Sequence, residues 1–139
     1  MHDKLFLALL DTYAAHAETS RREFQKLDLT EGQPKILYVL RREDGQVQKD
    51  LAETCKVKQP TLTVLLQKLE SKGLIRKESC TVSGGKYANR IFLTEEGQEK
   101  ARELEDVVEE LERKGLKDFS PEENKQLFSM LAKVAENMR

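Results

Sequence analysis

The sequence predicts a mainly α-helical fold with a small β-hairpin wing, a winged helix-turn-helix that is dimeric through its terminal helices. Apolar residues recur at helical spacing along most of the 139 residues, whereas the alternation typical of strands is confined to two short segments. Two short helices joined by a tight turn directly precede those strands. The segments at both ends of the chain carry apolar stripes that so small a central module cannot cover.

The composition favours an α-rich intracellular protein of one domain. Charged residues make up 35% of the chain and aromatic residues 6%, and there is no Trp, so helix formers dominate. The apolar run Leu5 to Leu10 is short and follows the charged Asp3 and Lys4, so we expect no signal peptide. No stretch approaches the roughly 18 apolar residues that span a bilayer, and we expect a cytoplasmic protein.

Two helices open the chain. Residues 3–26 predict a first helix that Asp3 caps, with a broken apolar stripe of Leu5, Leu9, Tyr13, Ala17 and Phe24. A second helix is predicted where Thr30 and Gln33 have the spacing of a capping box. Its core-facing residues are Ile36, Leu37, Val39 and Leu40.

The next two helices predict a helix-turn-helix. Residues 49–54 form the shorter one, and the turn from Cys55 to Lys58 leads into the longer one. Gln59 can cap this fourth helix, Pro60 suits its first position and Gly73 ends it. One face carries Leu62, Leu65, Leu66 and Leu69. Helical hairpins with other uses share this organisation.

The other face of the fourth helix bears hydroxyl, amide and ammonium groups, with no carboxylate before Glu70. Such groups read base edges and hold phosphates in a major groove. Residues 48–90 hold nine Lys or Arg against four Asp or Glu, whereas residues 95–139 hold eight against thirteen, which suits a polyanion contacted at one place. A solvated polar face is the alternative. We predict that double-stranded DNA is the partner and that this helix contacts it through Lys58, Gln59, Thr61, Thr63, Val64, Gln67 and Lys68.

After Gly73 the apolar period changes to that of a β-hairpin. Residues 74–78 and 89–93 predict two strands, and residues 83–86 predict a flexible tip. A hairpin directly after such a helix is a wing, and we predict that its cations Lys86 and Arg90 contact DNA. The alternative is that the hairpin only covers the helical core.

Two charged helices end the chain. Residues 94–97 start one that runs to about Lys114, and Ser120 with Glu123 predicts a capping box for the last. Their apolar stripes, like that of the first helix, need a covering surface, which a second copy of the chain supplies. We therefore predict a homodimer, with dimerisation segments 1–29 and 95–139 on either side of a DNA-binding module at 30–94. Packing of these helices within one chain is the alternative.

Short motifs spread over nearly the whole chain carry a family likeness. They are Leu29-Thr30 with Gln33 and Leu37; Lys49 to Glu53; Pro60 to Thr63 with Leu69-Glu70 and Lys72 to Ile75; and Leu93 to Gly97. In this order and spacing they resemble the MarR family of bacterial transcription regulators. The resemblance implies a winged-helix dimer that binds palindromic operator DNA and usually represses. It also implies release by a small, often phenolic effector, and we place the effector pocket where the first, second and fifth helices meet the winged module, lined by Tyr13, Phe24 or Tyr38.

The chain departs from the family pattern at several positions. Lys58 stands where many members have Ser, and Val64 stands where Arg is common. The frequent Asp-x-Arg motif of the wing is missing, because its places fall on Gly85 and Tyr87. The usual wing contact therefore does not carry over, and Lys86 or Arg90 has to replace it.

No other chemistry is indicated. Cys55 and Cys80 predict neither a disulfide framework nor a zinc site, and incidental thiols are favoured over redox sensing, although the lysines beside Cys55 favour a thiolate. His2 and His16 are too few for a metal cluster, and no arrangement of Ser, His and Asp suggests a nucleophile. We expect no enzyme activity, no cofactor and no metal.

The predicted function is that of a sequence-specific transcription regulator, a repressor that binds palindromic DNA as a homodimer and is released by a small-molecule effector. The alternative is a winged-helix dimer that acts as a protein-interaction or ligand-binding scaffold with weak DNA affinity. The departures at Val64, Gly85 and Tyr87 motivate that alternative.

Overall fold

The computed structural model describes all 139 residues and confirms a mainly α-helical winged helix-turn-helix with a small antiparallel sheet. The chain divides into two compact units, Met1–Val108 and Glu109–Arg139. None of the helices combines the length and the apolar character needed to cross a membrane. The elements in chain order are α1 (Leu5–Gln25), α2 (Gln33–Arg42), β1 (Gln46–Val47), α3 (Gln48–Cys55), α4 (Gln59–Ser71), β2 (Ile75–Val82), β3 (Lys86–Leu93), α5 (Glu95–Gly115) and α6 (Pro121–Met138).

Helix α1 leaves most of its apolar residues exposed. Phe6 is 77% exposed and Tyr13 is 74% exposed, and the only buried residue of the helix is Ser20, whose hydroxyl donates to the His16 carbonyl at 2.6 Å. The prediction that Asp3 caps this helix is wrong, because Lys4 is the N-cap and no side chain bonds the free amides. The first backbone hydrogen bond of this helix runs from the Ala8 N–H to the Lys4 carbonyl oxygen, at 3.0 Å.

The start of α2 differs from the predicted capping box. The amide oxygen Oε1 of Gln33 accepts from the Thr30 N–H at 3.1 Å, but the Thr30 hydroxyl does not cap the helix. The helix begins at Gln33, and its N-cap is Gly32 in a left-handed conformation with φ +82°. One of the two hydrogen bonds of the predicted capping box is therefore present. It holds the residues before α2 against the start of the helix and does not lengthen the helix.

The first unit has one apolar core, built from α2 to α4, the sheet and the first part of α5. Leu62, Leu66 and Leu69 of α4 are fully buried, as the leucine spacing predicts, whereas Leu65 is only partly buried. Lys58 rather than Gln59 is the N-cap of α4, and Gly73 follows its end with φ +75°. The other buried apolar residues are Leu29, Ile36, Leu37, Leu40, Leu51, Ala52, Cys55, Leu74, Ile75, Ile91, Leu93, Ala101 and Leu104.

The wing is longer than predicted and belongs to a three-stranded sheet in the order β1-β3-β2. Strands β2 and β3 each have eight residues and pair from Ile75 opposite Leu93 to Val82 opposite Lys86. Strand β1 was not predicted; its two residues pair with Ile91 and Arg90 at the base of β3. The third strand therefore supports only the base of the hairpin, and the outer half consists of two strands alone.

The C-terminal helices begin as predicted. The Thr94 hydroxyl accepts from the Gly97 N–H at 3.0 Å at the start of α5. In the second unit, Ser120 and Glu123 form the predicted capping box, with the Glu123 N–H 3.1 Å from the Ser120 hydroxyl oxygen and the Ser120 N–H 2.9 Å from a Glu123 carboxylate oxygen. No residue of α6 is buried.

Candidate nucleic-acid interface

The polar face of α4 is open to solvent. Val64 is 49% exposed, and Glu70 is the first carboxylate of the helix. Because the buried leucines fix the rotation of α4, the remaining side chains present amides, hydroxyls and ammonium groups on one surface, as base and phosphate contact requires. We call this surface the α4 face; its exposed residues are Lys58, Gln59, Thr61, Val64, Gln67 and Lys68.

Thr63 differs from the other predicted contact residues because its hydroxyl already has partners within the protein. It donates to the Gln59 carbonyl at 3.0 Å and accepts from the Gln48 side-chain amide at 3.0 Å. The side chain is only partly exposed. A hydroxyl whose proton is engaged can still accept one bond from a base, but it also holds α3 against α4.

The two predicted wing cations lie in different environments. Lys86 is exposed at the tip, where β3 begins. The Arg90 guanidinium donates to the Gly45 carbonyl at 2.9 Å, at the base of the wing. The structure therefore leaves Lys86 free for a partner and gives Arg90 a role in fixing the hairpin. The aromatic side chain beside Lys86, Tyr87, is 88% exposed and was not among the predicted contacts.

Two further contacts lie at the base of the wing, one to the turn before β1 and one between β2 and β3. An Asp44 carboxylate oxygen accepts from the Leu93 N–H at 2.9 Å. The Arg76 guanidinium lies over the Phe92 ring, 4.5 Å from its centroid, at a distance typical of a cation–π contact. These contacts join the base of the wing to the turn before β1 and hold its two strands together.

The end of α4 is tied to the segment that joins α1 to α2. We call this segment, residues 26–32, the connector. The Lys72 ammonium donates to the Asp28 carbonyl and, at 3.0 Å, to Oε1 of the buried Gln33. Gly32 lies against Leu65 so closely that a Cβ at this position would be 2.7 Å from a Leu65 methyl carbon. The position of α4 therefore depends on the conformation of the connector.

A cleft of about 490 Å³ lies between α1, the connector and the start of α2. Tyr13 and Phe24 line it, as predicted for an effector pocket, but Tyr38 does not and instead has the Arg42 guanidinium 5.8 Å from its ring centroid. The start of α5 does not contribute to the lining either. The remaining lining residues are His16, Ala17, Ser20, Arg21, Leu29, Thr30, Glu31, Gly32, Pro34 and Lys35. We call this the α1–α2 cleft.

The lining of the α1–α2 cleft suits a small aromatic anion. Two aromatic side chains supply apolar surface, and the cations Arg21 and Lys35 outnumber the one carboxylate, Glu31. A second cleft, of about 530 Å³, lies on the other side of the connector, where Lys72 and residues of the α4 face line it. Thr30 lines both clefts. The connector is therefore a shared wall between them.

The model of the MarR family matches residues 29–84, which include the last four residues of the connector, the helix-turn-helix, β2 and the first half of the wing tip. The match covers the α4 face and the elements that position it. Over these residues the chain is similar to the MarR family. The family and the fold are those of transcription regulators rather than enzymes.

Solved structures of MarR-type regulators share the fold over nearly the whole length. The transcriptional regulator SlyA is 26% identical with a TM-score of 0.82, covering 99% of this chain and 94% of that one. A putative MarR-family regulator from Listeria monocytogenes, solved with a 26mer DNA, is 29% identical with a TM-score of 0.83, covering 99% and 90%. NadR, solved with 4-hydroxyphenylacetate, is 24% identical with a TM-score of 0.80, covering 96% and 94%.

The two cysteines of the chain have unequal environments. Cys55 is buried, and burial raises the pKa of its thiol, an effect that the nearby Lys35 ammonium offsets only in part. The expectation that neighbouring lysines favour a Cys55 thiolate is therefore wrong. Cys80 lies partly exposed on the wing. No group of three or more His, Cys, Asp and Glu side chains is placed to hold a metal ion.

Proposed function

We propose that this transcription regulator is a repressor that binds palindromic operator DNA as a homodimer and is released by a small aromatic effector. The α4 face carries the proposal, because it joins exposed amide, hydroxyl and ammonium groups on a helix whose rotation and end are fixed by buried contacts. The Listeria relative, solved with DNA at 29% identity, supports the assignment. The proposed contact residues are those of the α4 face with Thr63 and Lys86, while Arg90 acts by holding the wing.

Dimerisation is proposed from the unpaired apolar surfaces of the terminal segments. Helix α1 exposes Leu5, Phe6 and Leu10, and α6 exposes Phe128 and Leu131. Large exposed apolar patches of this kind are typical of subunit interfaces. We assign dimerisation to residues 1–29 and 95–139 and DNA binding to residues 30–94. A two-fold pair presents two copies of α4 to half-sites about 34 Å apart, one turn of duplex.

The effector is proposed to bind in the α1–α2 cleft. A carboxylate can pair with Arg21 or Lys35, and an aromatic ring can pack on Phe24 and Tyr13. The printed ligand of NadR, 4-hydroxyphenylacetate, is a phenolic carboxylate of this chemical class. Because the connector separates the cleft from α4, a ligand that moves the connector changes the position of the DNA-reading helix.

The operator is tested by selection from random duplexes at roughly physiological salt, where non-specific binding is weak. We expect an enriched inverted repeat whose half-sites lie about one turn apart, and one dimer per duplex in sedimentation. If folded protein enriches no sequence, the scaffold function with weak DNA affinity replaces the repressor.

The effector is tested by screening small aromatic acids for thermal stabilisation and then for release of the selected duplex. We expect at least one acid to do both, and expect Arg21→Gln to weaken its binding because one cation of the cleft is lost. Arg22→Gln is the matched control, since Arg22 is the next residue of α1 and does not line the cleft. Equal losses in the two variants would place the ligand elsewhere.

A further inference from the structure

Gln33 carries a hydrogen-bond donor that no group of the protein accepts. Its side chain is 2% exposed, in the first turn of α2. Its Oε1 accepts from the Thr30 N–H at 3.1 Å and from the Lys72 ammonium at 3.0 Å, so two donors fix which end of the amide is oxygen. The other end, Nε2, donates to no atom of the chain. Because burying an unpaired donor is costly, an acceptor from outside the chain is expected beside it.

The accessible part of Gln33 opens into the second cleft. Gln33 lines this cleft, of about 530 Å³, and does not line the α1–α2 cleft. The second cleft lies between the connector and the second half of α4. Four further polar side chains line it and make no hydrogen bond or ion pair within the protein; they are Thr30, Gln67, Lys68 and Ser71. The cleft therefore gathers donors that have no acceptor in the chain.

The charges of the second cleft favour an anion. Lys68 and Lys72 supply two cations against one carboxylate, that of Asp28. The Asp28 side chain is 91% exposed, and its Oδ2 lies 3.9 Å from the Lys72 Nζ, beyond hydrogen-bond distance. An ammonium group has three N–H donors, and for Lys72 the Asp28 carbonyl and the Gln33 Oε1 accept only two of them.

The free donors of Gln33 and Lys72 are neighbours. Both groups surround the same oxygen, Oε1 of Gln33, because Nε2 belongs to that amide and the Lys72 ammonium donates to it. One oxyanion can therefore bridge them, and hydrogen bonds from an ammonium group to an oxyanion are stronger than those between neutral groups. A water molecule can accept from the Gln33 amide but leaves the charge of the two lysines uncompensated.

We propose that the second cleft is a binding site for an oxyanion, a phosphate or carboxylate group, held by Nε2 of Gln33 and the ammonium groups of Lys72 and Lys68. The oxyanion is either a small anion free in solution or a phosphate group of a nucleic-acid backbone. Binding of the free anion does not require that the protein bind DNA. Because Val64, Gln67 and Lys68 of the α4 face also line the cleft, a free anion there competes with DNA, and this last step alone rests on the proposed function.

The test follows the backbone amide NMR signals of Thr30 and Ser71 while inorganic phosphate is added at constant ionic strength. We expect a saturable shift in the wild-type protein. Gln33→Glu keeps an oxygen acceptor for Thr30 and Lys72, removes the Nε2 donors and places a negative charge beside the anion. We expect it to weaken phosphate binding by about tenfold or more, as loss of a charge-assisted hydrogen bond does. Gln25→Glu is the matched control, because it makes the same charge change at an exposed residue that lines neither cleft.

A second variant, Lys68→Met, changes an exposed side chain that has no partner in the protein, so the fold is retained. We expect it to weaken phosphate binding as well, because one of the two cations of the cleft is lost. Equal phosphate affinity of Gln33→Glu and Gln25→Glu overturns the proposal, since overall charge alone then attracts the anion. A wild-type protein whose signals show no saturable shift with phosphate or with duplex DNA also overturns it, and water is then the acceptor of the Gln33 amide.

The source of the oxyanion is distinguished by the affinity for the selected duplex, measured without phosphate at matched ionic strength. If a backbone phosphate occupies the cleft, Gln33→Glu binds the duplex about tenfold more weakly than Gln25→Glu does. If the occupant is a free anion, the two variants bind the duplex equally and added phosphate weakens duplex binding by the wild-type protein. Failure of the wild-type protein to select any duplex overturns the proposed function and leaves the phosphate titration as the test of the site.

Discussion

The Lys72 ammonium at the end of α4 lies 3.0 Å from Oε1 of Gln33, a side chain that is 2% exposed in the first turn of α2. The same oxygen accepts from the Thr30 N–H at 3.1 Å. One amide oxygen therefore joins the connector, the start of α2 and the end of α4. The positive charge of Lys72, which was not among the predicted DNA contacts, holds the end of α4 against the start of α2.

Replacing Lys72 by Met keeps the aliphatic stem and removes the bonds to Gln33 and Asp28. We expect the free energy of unfolding to fall by about 1–2 kcal/mol, because a charge-assisted bond to a buried acceptor is lost. Urea denaturation measures the change. Lys68→Met is the matched control on the same helix, and we expect it to leave stability within about 0.5 kcal/mol while weakening DNA binding. Equal stability of the two variants would show that the Lys72 bond contributes nothing.

Replacing Gly32 by Ala adds a Cβ that meets Leu65 at 2.7 Å and forces a left-handed conformation on a residue with a side chain. We expect a loss of about 2–3 kcal/mol, of which the backbone conformation accounts for about 1–2 and displacement of Leu65 for the remainder. Gly84→Ala is the control, because Gly84 has φ +84° with nothing within 4 Å of the added carbon. If Gly32→Ala lowers the free energy of unfolding no more than Gly84→Ala does, the Leu65 side chain moves aside without an energetic cost.

Replacing Thr63 by Val removes the hydroxyl and keeps the shape of the side chain. We expect discrimination among bases at one operator position to fall by about 1–3 kcal/mol and stability to fall by about 0.5–1.5 kcal/mol through loss of the bond from Gln48. Gln48→Ala removes that same bond and leaves the hydroxyl. Relaxed specificity in both variants would show that Thr63 acts only by holding α3 against α4.

The thiols are predicted to differ in reactivity. Because its pKa is raised and it is buried, Cys55 is protonated near neutral pH and reacts more slowly than Cys80 with a thiol reagent, by at least about tenfold. The variants Cys80→Ser and Cys55→Ser isolate the two rates. The stability that the protonated Cys55 contributes is fully present below about pH 8.5, the ordinary cysteine pKa, and is lost as pH rises through the folded-state pKa. Faster reaction of Cys55 than of Cys80 would contradict the burial of this thiol.

The features predicted correctly depend on neighbours in sequence. The leucine spacing of α4, its end at Gly73 and the capping box of α6 are each decided within a few residues, so periodicity and cap chemistry are sufficient. Asp3 and Thr30 have suitable cap chemistry but do not cap, since the backbone before each helix takes another path. Cap residues therefore predict the start of a helix to within a few residues, but they do not identify the first helical residue.

The features that were missed depend on residues distant in sequence. Strand β1 has only two residues and exists because β3, more than 40 positions later, pairs with it. Arg90 resembles any exposed cation until its partner, the Gly45 carbonyl, is seen. Cys55 has lysines beside it in sequence but a core around it in space. The sequence identifies the charge of Arg90 and the thiol of Cys55, but only the three-dimensional structure shows which groups surround them.

The connector lines both the α1–α2 cleft and the second cleft, and this shared wall affects how their ligands bind. If an aromatic effector and DNA favour different connector conformations, their affinities are linked and the linkage is reciprocal. An effector that weakens operator binding about 100-fold must itself bind about 100-fold more weakly to protein already on DNA, a coupling of about 2.7 kcal/mol. Saturating operator duplex therefore raises the dissociation constant of the effector by the same factor of about 100.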